Sequence, residues 1–284
     1  MQSGSVAHYD AWVCPICAHS LTRGLACVHC DFIGYARNGL LYLHGNNADW
    51  QKCLHERHGW IELTREIGLY RENDDHFFLP DRRPHLSEVF GESKRHIDKL
   101  MAIESLEGKV CVDLGAWIGW VEAYILKKYR DAMLIALDIN DDPLVGLGRS
   151  VKLKDHFQCA FISLVADMHH LPFADDSIDI VFSVDALHHF RDLSGVMAQI
   201  ARVLKRGGRF YGLNEPDRPC DTMESDFISQ HITVEIKHGI IERRPTIEEY
   251  LDHGRMLNLR ACNDDVGLRK NIDTCGLFLR GEKT

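Results

Sequence analysis

Four cysteines near the start of the chain have the spacing of a metal site. In CPICAHSLTRGLACVHC, Cys14, Cys17, Cys27 and Cys30 form two CxxC pairs separated by nine residues. Each pair can fold as a tight knuckle with both sulfurs on one side, and two facing knuckles complete a tetrahedral thiolate site for Zn²⁺. Four protein ligands leave no open coordination position, so such an ion would be structural. Free core thiols and a redox pair are the alternatives for the same residues. Cys53, Cys111, Cys159, Cys220, Cys262 and Cys275 read as structural thiols.

A second set of residues could bind a nucleoside. VDLGAWIGW (112–120) is an apolar strand end carrying Asp113, then Gly115 and Gly119, with Trp117 between them. Glycine suits a turn where backbone approaches a ligand and bends into a helix. The next strand, AMLIALDI, ends at Asp138 and Ile139, and an acid there can accept from both hydroxyls of a ribose. FISLVAD ends at Asp167, followed by Met168. That carboxylate could accept from an adenine amino group while Met168 packs on the ring. The fourth strand runs into SVDALHHF and sets Asp185, His188 and His189 at the same sheet edge.

These residues need a scaffold that brings strand ends together. KVCVDL, AMLIALDI, FISLVAD, IDIVFSVD and RFYGLNE read as strands, and WVEAYILKKY, DPLVGLGRSVKL and SGVMAQIARVLKRGG as helices between them. Pro143 is placed to start the second of these helices, and the paired glycines to close the third. Alternating strands and helices imply an α/β fold with a mostly parallel sheet covered on both faces. In such sheets ligands sit at the carboxyl ends of the strands. Ahead of this unit, SKRHIDKLMAIESL reads as an amphipathic helix, with Ile97, Leu100, Met101 and Ile103 toward one side. The expected organisation is a zinc ribbon over 1–45 that includes the strand NGLLYL, a linker or helical cap over 46–94, and the α/β domain over 95–284. The cap region is expected to hold a helix broken at Gly59 and could pack over the site. TCGLFLR reads as a last strand, and Thr246 with Glu249 as a capping box for a helix near Ile247.

With 284 residues, 45% hydrophobic and 26% charged, the chain has material for a large core. Its formal net charge of −9 disfavours general affinity for polyanions. There is no apolar run long enough for a transmembrane helix and no secretory pattern at the start, so a cytoplasmic protein is expected.

The run VCVDLGAWIGW…ALDIN…VADMHHLPFADDSIDIVFSVDALHHF…IARVLKRGGRFYGLNEP resembles the class I S-adenosylmethionine-dependent methyltransferases over roughly residues 95–280. The resemblance implies a Rossmann-like sheet and S-adenosylmethionine as cofactor. It puts Asp113, Gly115 and Gly119 at the methionine end, Asp138 on the ribose with Ile139 against the adenine, Asp167 and Met168 around the adenine, and Asp185 near the sulfonium. Trp117 departs from the pattern, because the family usually has glycine there. The indole could be a core aromatic, could pack beside the cofactor and attract the sulfonium, or could mark a damaged site. His188 or His189 is the candidate general base if the acceptor must lose a proton. His169 and His170 read as structural. His231, His238, Arg243 and Arg244 could meet a substrate carboxylate or phosphate, though solvated charge is the default.

The expected activity is methylation of a small molecule. A ribbon ahead of such a domain also resembles ribosomal-RNA guanine methyltransferases, so methylation of ribosomal or transfer RNA is the alternative. RNA binding would demand lysine and arginine, yet Arg23 and Arg37 are balanced by Asp10 and Asp31 in the ribbon. Protein methylation, repurposed S-adenosylmethionine chemistry and a non-catalytic binding module are further alternatives.

Overall fold

The computed structural model describes residues 9–72, 87–231, 234–261 and 276–284. Cys262, Cys275 and the His231 side chain lie outside the described residues. A hairpin, β1 (Tyr35–Arg37) and β2 (Leu40–Tyr42), precedes the long helix α1 (Ala48–Glu66) and then α2 (Ser87–Ile103). β3 (Val110–Leu114), α3 (Trp120–Ile125), β4 (Met133–Asp138), α4 (Ser150–Phe157), β5 (Ile162–Val165), β6 (Ile178–Val184), α5 (Leu193–Val203) and β7 (Leu204–Glu215) follow. The chain continues through α6 (Glu224–His231), α7 (Val234–Lys237), α8 (Ile247–His253), β8 (Arg260–Ala261) and β9 (Leu277–Glu282).

All of these strands join one sheet in the order β1-β2-β5-β4-β3-β6-β7-β9-β8. The run from β2 to β7 is parallel, and β9 pairs antiparallel with both β7 and β8. Strand order therefore reverses at β3, which lies between β4 and β6 and makes the crevice at their carboxyl ends the natural ligand position. The strands are apolar because both faces are covered. Val112 and Leu114 face one layer of core, and Cys111 with Leu134 and Ala136 the other. A fully buried Val or Leu contributes about 1.5–3 kcal/mol.

The cysteine-rich segment is continuous with this sheet. β2 pairs in parallel with β5, Val13 N–H donates to Pro172 O (3.0 Å), and Tyr9 Oη donates to Ser177 Oγ (2.7 Å). Trp12 packs on Phe173 with ring centroids 5.5 Å apart. This segment thus forms one edge of the same body.

Three local expectations are corrected. Gly59 does not break a helix, since α1 runs through it. A Cβ there would lie 2.2 Å from His238 O, so the glycine permits close docking of the segment after α7. Pro143 does not begin a helix. Asp142 Oδ1 accepts from the N–H groups of Leu144 and Val145 and holds a turn instead, a local bond that competes with helix. The ordered helix, α4, begins only at Ser150. Gly207 and Gly208 do not cap α5. They sit within β7, where the register against β6 shifts, and Gly207 adopts φ 73°. α2 buries Ile97, Leu100 and Met101 as expected but leaves Ile103 exposed. The Thr246–Glu249 capping box is present, and β9 supplies the antiparallel closing strand.

Candidate active site

The tips of β3, β4, β5 and β6 surround a cavity of about 300 Å³. Its floor includes Asp113, Gly115, Trp117, Asp138, Ile139, Asp167, Met168, Asp185 and His189, so the strand-end residues singled out by spacing are brought together. Gly119 and His188 are not part of the lining. Gly119 has φ 81°, and a Cβ on it would come within 2.7 Å of the Phe161 ring. A Cβ on Gly115, also at φ 81°, would lie 2.4 Å from that of Ala186. Close packing of the loop thus explains both glycines as well as approach to a ligand would.

Trp117 keeps the loop's shape without being glycine. Its φ is 49°, in a left-handed region that costs an L-residue roughly 1–2 kcal/mol. Two bonds offset this: the indole Nε1 donates to Val145 O (2.9 Å), and the backbone N–H donates to Asp138 Oδ2 (2.8 Å). The indole lines the cavity and packs against the core beneath it. The residue that breaks the family pattern is also one that fixes Asp138.

Asp138 receives a second amide, from Asn140 N–H to Oδ1 (2.8 Å). Burial still pushes its carboxyl up to about 6 against those donors. Asp167 sits in a different environment. Its Oδ1 accepts from His169 N–H (3.0 Å) and pairs with His169 Nδ1 (2.9 Å), and its Oδ2 accepts from Arg191 Nη2. Burial alone would raise its pKa, but His169 and Arg191 more than offset that and hold it below the usual carboxylate range. Arg191 also donates to Cys53 Sγ on α1 (3.1 Å), tying this carboxylate to the helix above.

Asp185 lies in the left-handed region, at φ 53°. Its side chain is exposed where it opens onto the cavity, yet the surrounding protein, followed by the charge of Glu215, pushes it up to about 7. Glu215, at the tip of β7, anchors the turn that follows β6. It accepts from the N–H groups of Ala186 (3.3 Å), Leu187 (3.0 Å) and His188 (3.2 Å), and from Ser183 Oγ (3.2 Å). His188 is taken into this anchor through Nδ1, 3.0 Å from Glu215 Oε2, and burial lowers its pKa well below the ordinary value. His189 instead faces the cavity. Its Nδ1 donates to Ile241 O (2.6 Å), which leaves Nε2 as the acceptor.

The roof is α1 and the turn after it. Glu56, Trp60, Leu63, Thr64, Ile67 and Leu69 line the cavity. Trp60 meets His189 edge to face, with centroids 5.1 Å apart. Glu56 is 4% exposed, accepts from Ile241 N–H (3.4 Å), and is pushed up to about 7 by burial while His189 and Arg191 pull it down. Glu56, Trp60, Arg191 and Glu215 were not singled out from sequence. Glu215 obeys the strand-tip rule that found the others, and Glu56, Trp60, Leu63, Thr64 and Ile67 lie at helical spacing on one face. The cations considered for a substrate anion are paired elsewhere: His238 with Glu66 (2.8 Å), Arg243 with Glu224 (3.8 Å) and Arg244 with Glu242 (2.5 Å).

At the other end, Cys14 and Cys30 have their Sγ atoms 3.5 Å apart, Cys17 and Cys27 3.5 Å, and Cys17 and Cys30 3.6 Å. A tetrahedral Zn²⁺ with sulfurs at about 2.3 Å requires roughly 3.8 Å between them. Ile16 N–H points at Cys14 Sγ and His29 N–H at Cys27 Sγ, each at 3.4 Å, as expected for two knuckles. The donor set fits zinc.

Residues 112–212 match the family described as "Methyltransferase domain". A methyltransferase of Streptomyces halstedii, GfsG, is 47% identical over 156 residues, which cover 52% of each chain. The fatty-acid O-methyltransferase of Mycolicibacterium smegmatis is 26% identical over 156 residues, 52% of this chain and 55% of that one. The chain therefore spans about half the length of these curated relatives. Among solved structures, geranyl diphosphate C-methyltransferase of Streptomyces coelicolor A3(2), bound to Mg²⁺, geranyl diphosphate and S-adenosyl-L-homocysteine, superposes with a TM-score of 0.54. It is 14% identical, over 84% of this chain and 99% of that one. The [4+2]-cyclase SpnF superposes with a TM-score of 0.56 at 13% identity, over 81% of this chain and 95% of that one. At those identities the likeness concerns fold alone. The matched domain over residues 112–212, the methyltransferase relatives and the sheet order support a methyltransferase domain on a Rossmann-like sheet.

Proposed function

We propose that this chain binds S-adenosylmethionine over the tips of β3–β6 and directs its methyl group to a small, largely apolar acceptor held under α1. The observation that carries this reading is a single cavity whose floor is strand-end carboxylates and whose roof is Trp60, Leu63, Ile67 and Leu69. Asp113 supports it further, as a buried carboxyl lining the cavity with no cationic side chain bonded to either oxygen, the kind of group a cationic ligand would satisfy. When bound, S-adenosylmethionine supplies an electrophilic methyl group with a good leaving group, so alignment and desolvation do much of the work.

The chain's own residues divide that work. Asp138, fixed by two backbone amides, has lone pairs left for the ribose hydroxyls. Ile139 and Met168 offer apolar surface to the adenine, and Asp167 has one acceptor position left beside its bond from Arg191. Asp185 offers charge near the methionine end. His189, with Nδ1–H committed to Ile241 O, has Nε2 available to take a proton from an acceptor hydroxyl or amine. His188 serves the site by packing against Glu215. Zn²⁺ on Cys14, Cys17, Cys27 and Cys30 would hold the two cysteine knuckles together beside the sheet edge. The ribbon favours a small acceptor over RNA, for it exposes Ile16, Val28 and Ile33, and its Arg37 is directed at Asp141 (3.8 Å).

Calorimetric titration of the zinc-loaded protein with S-adenosylmethionine and S-adenosylhomocysteine tests the donor half. One-to-one binding of both is expected, and absence of heat with either ends the reading. Metal analysis of protein purified without chelator should return about one zinc per chain. Label transfer from methyl-tritiated donor to a panel of apolar alcohols and amines, set against structured RNA, tests the acceptor class. Transfer to RNA alone would overturn it.

A further inference from the structure

Beneath the loop from Gly115 to Gly119, two carboxyls share a site without a cationic side chain bonded to either. Asp113 of β3 is 1% exposed, and Glu122, in the first turn of α3, is 0% exposed. Among the described residues their four oxygens meet no donor from another side chain, and the two carboxyls lie within hydrogen-bond reach of each other. The ionisable groups facing Asp113 are Glu122 from α3, Asp138 from β4 and Glu215 from β7, all of them acids. Lys154 of α4 faces Glu122, but its ammonium donates to Phe161 O (3.3 Å) and Ser163 Oγ (3.0 Å). Asp113 is the member of the pair that reaches the cavity.

Two adjacent carboxyls taken out of water cannot both carry charge, so the empty pocket must keep a proton between them. Burial, then the neighbouring Glu122, drives Asp113 well above its ordinary range, and burial pushes Glu122 to about 7. An arriving ammonium changes the balance by adding one positive charge and N–H donors.

We propose that Asp113 and Glu122 form a proton-sharing acid pair at the amino-acid end of the donor pocket, and that donor binding expels the shared proton. This rests on the donor reading above. The ligand's ammonium replaces the proton as counter-charge, the proton passes to solvent, and the pair goes from one negative charge to two. Glu122 acts through Asp113 and is a positioning residue. Because the bound state holds fewer protons than the free state, binding tightens as pH rises.

The test is calorimetry of S-adenosylhomocysteine with the full-length, zinc-loaded chain in buffers of different ionisation enthalpy. Kd is followed from about pH 6 to about pH 8. The expected result is close to one proton released per ligand, with Kd falling up to about tenfold per pH unit while the free pair is protonated. 5′-Methylthioadenosine, which has the nucleoside but no amino-acid moiety, should bind with about one proton less released. Glu122→Gln removes the second acid and sets an amide donor beside Asp113, so its proton release should be smaller and its pH profile flatter. Asp138, Asp185 and Glu56 also titrate in the cavity but are common to both proteins, so the difference isolates the pair. Equal proton release with the two ligands would overturn the proposal even if Glu122→Gln failed to fold. So would an unchanged pH slope in a folded Glu122→Gln protein. Failure of S-adenosylhomocysteine to bind at any pH would instead remove the donor reading itself.

Discussion

On the floor of the cavity, Asp113, Asp138, Asp167 and Asp185 come from four strands or the residues that follow them, and neighbouring strands in a parallel sheet must end side by side. The roof comes from one helix, α1, whose seat depends on contacts made far along the chain. Gly59 touches His238 O, Cys53 meets Arg191, and Glu56 meets Ile241 N–H. Secondary structure alone therefore sets the floor, whereas tertiary docking sets the roof. Changes on the floor should read out on the donor, and changes on the roof on the acceptor or on stability.

Asp138→Ala is the largest expected break. It removes both acceptor oxygens proposed to meet the ribose and leaves the Trp117 and Asn140 amides without their partner. At about 1.5–3 kcal/mol for each charged hydrogen bond, the affinity for S-adenosylhomocysteine should fall at least about 100-fold. A change under about threefold in titration calorimetry would show that the carboxylate does not face the ligand.

His189→Ala comes next. A positioned general base contributes about 10²–10⁴-fold, so kcat with an acceptor that must lose a proton should drop about 100-fold while S-adenosylhomocysteine affinity holds. His188→Ala should instead lower stability, because His188 is bonded to Glu215 and does not reach the cavity. If His188→Ala cost activity in a stable protein and His189→Ala cost none, the assignment of roles would be reversed.

Gly59→Ala tests the seat of the roof. A methyl 2.2 Å from His238 O forces α1 and the α7 segment apart, and overpacking of this kind costs about 1–3 kcal/mol. Thermal unfolding should show the loss. A protein as stable as wild type would mean that α1 docks by other contacts.

How much of this was legible in sequence follows the same division. Continuous apolar runs ending in acids, alternating with helices, gave the sheet and the carboxylates at its edge, because strands covered on both faces end side by side. Glu215 ends a strand in the same way and could have been read with them. Gly59 was misread as a break because its partner lies in a segment nearly 180 residues away. The turn at Pro143 was misread because Asp142 binds the amides a helix would use. His188 and His189 look equivalent in sequence, and only the three-dimensional position of Glu215 and Ile241 separates them.

Trp60→Leu is the smallest change and the sharpest test of the division. The indole touches His189 edge to face and lines the cavity, but it makes no bond to any strand-tip carboxylate. Leucine keeps an apolar wall and removes the aromatic pair, which is worth about 0.5–1.5 kcal/mol. The expected outcome is a rise in acceptor KM of about fivefold, with S-adenosylhomocysteine affinity within about twofold of wild type. If the variant weakened S-adenosylhomocysteine as severely as Asp138→Ala, the helix would have to be counted as part of the donor site. The apolar surface of α1 would then be a lid on the nucleoside, and the acceptor would have to enter between the β6 turn and the segment after β7.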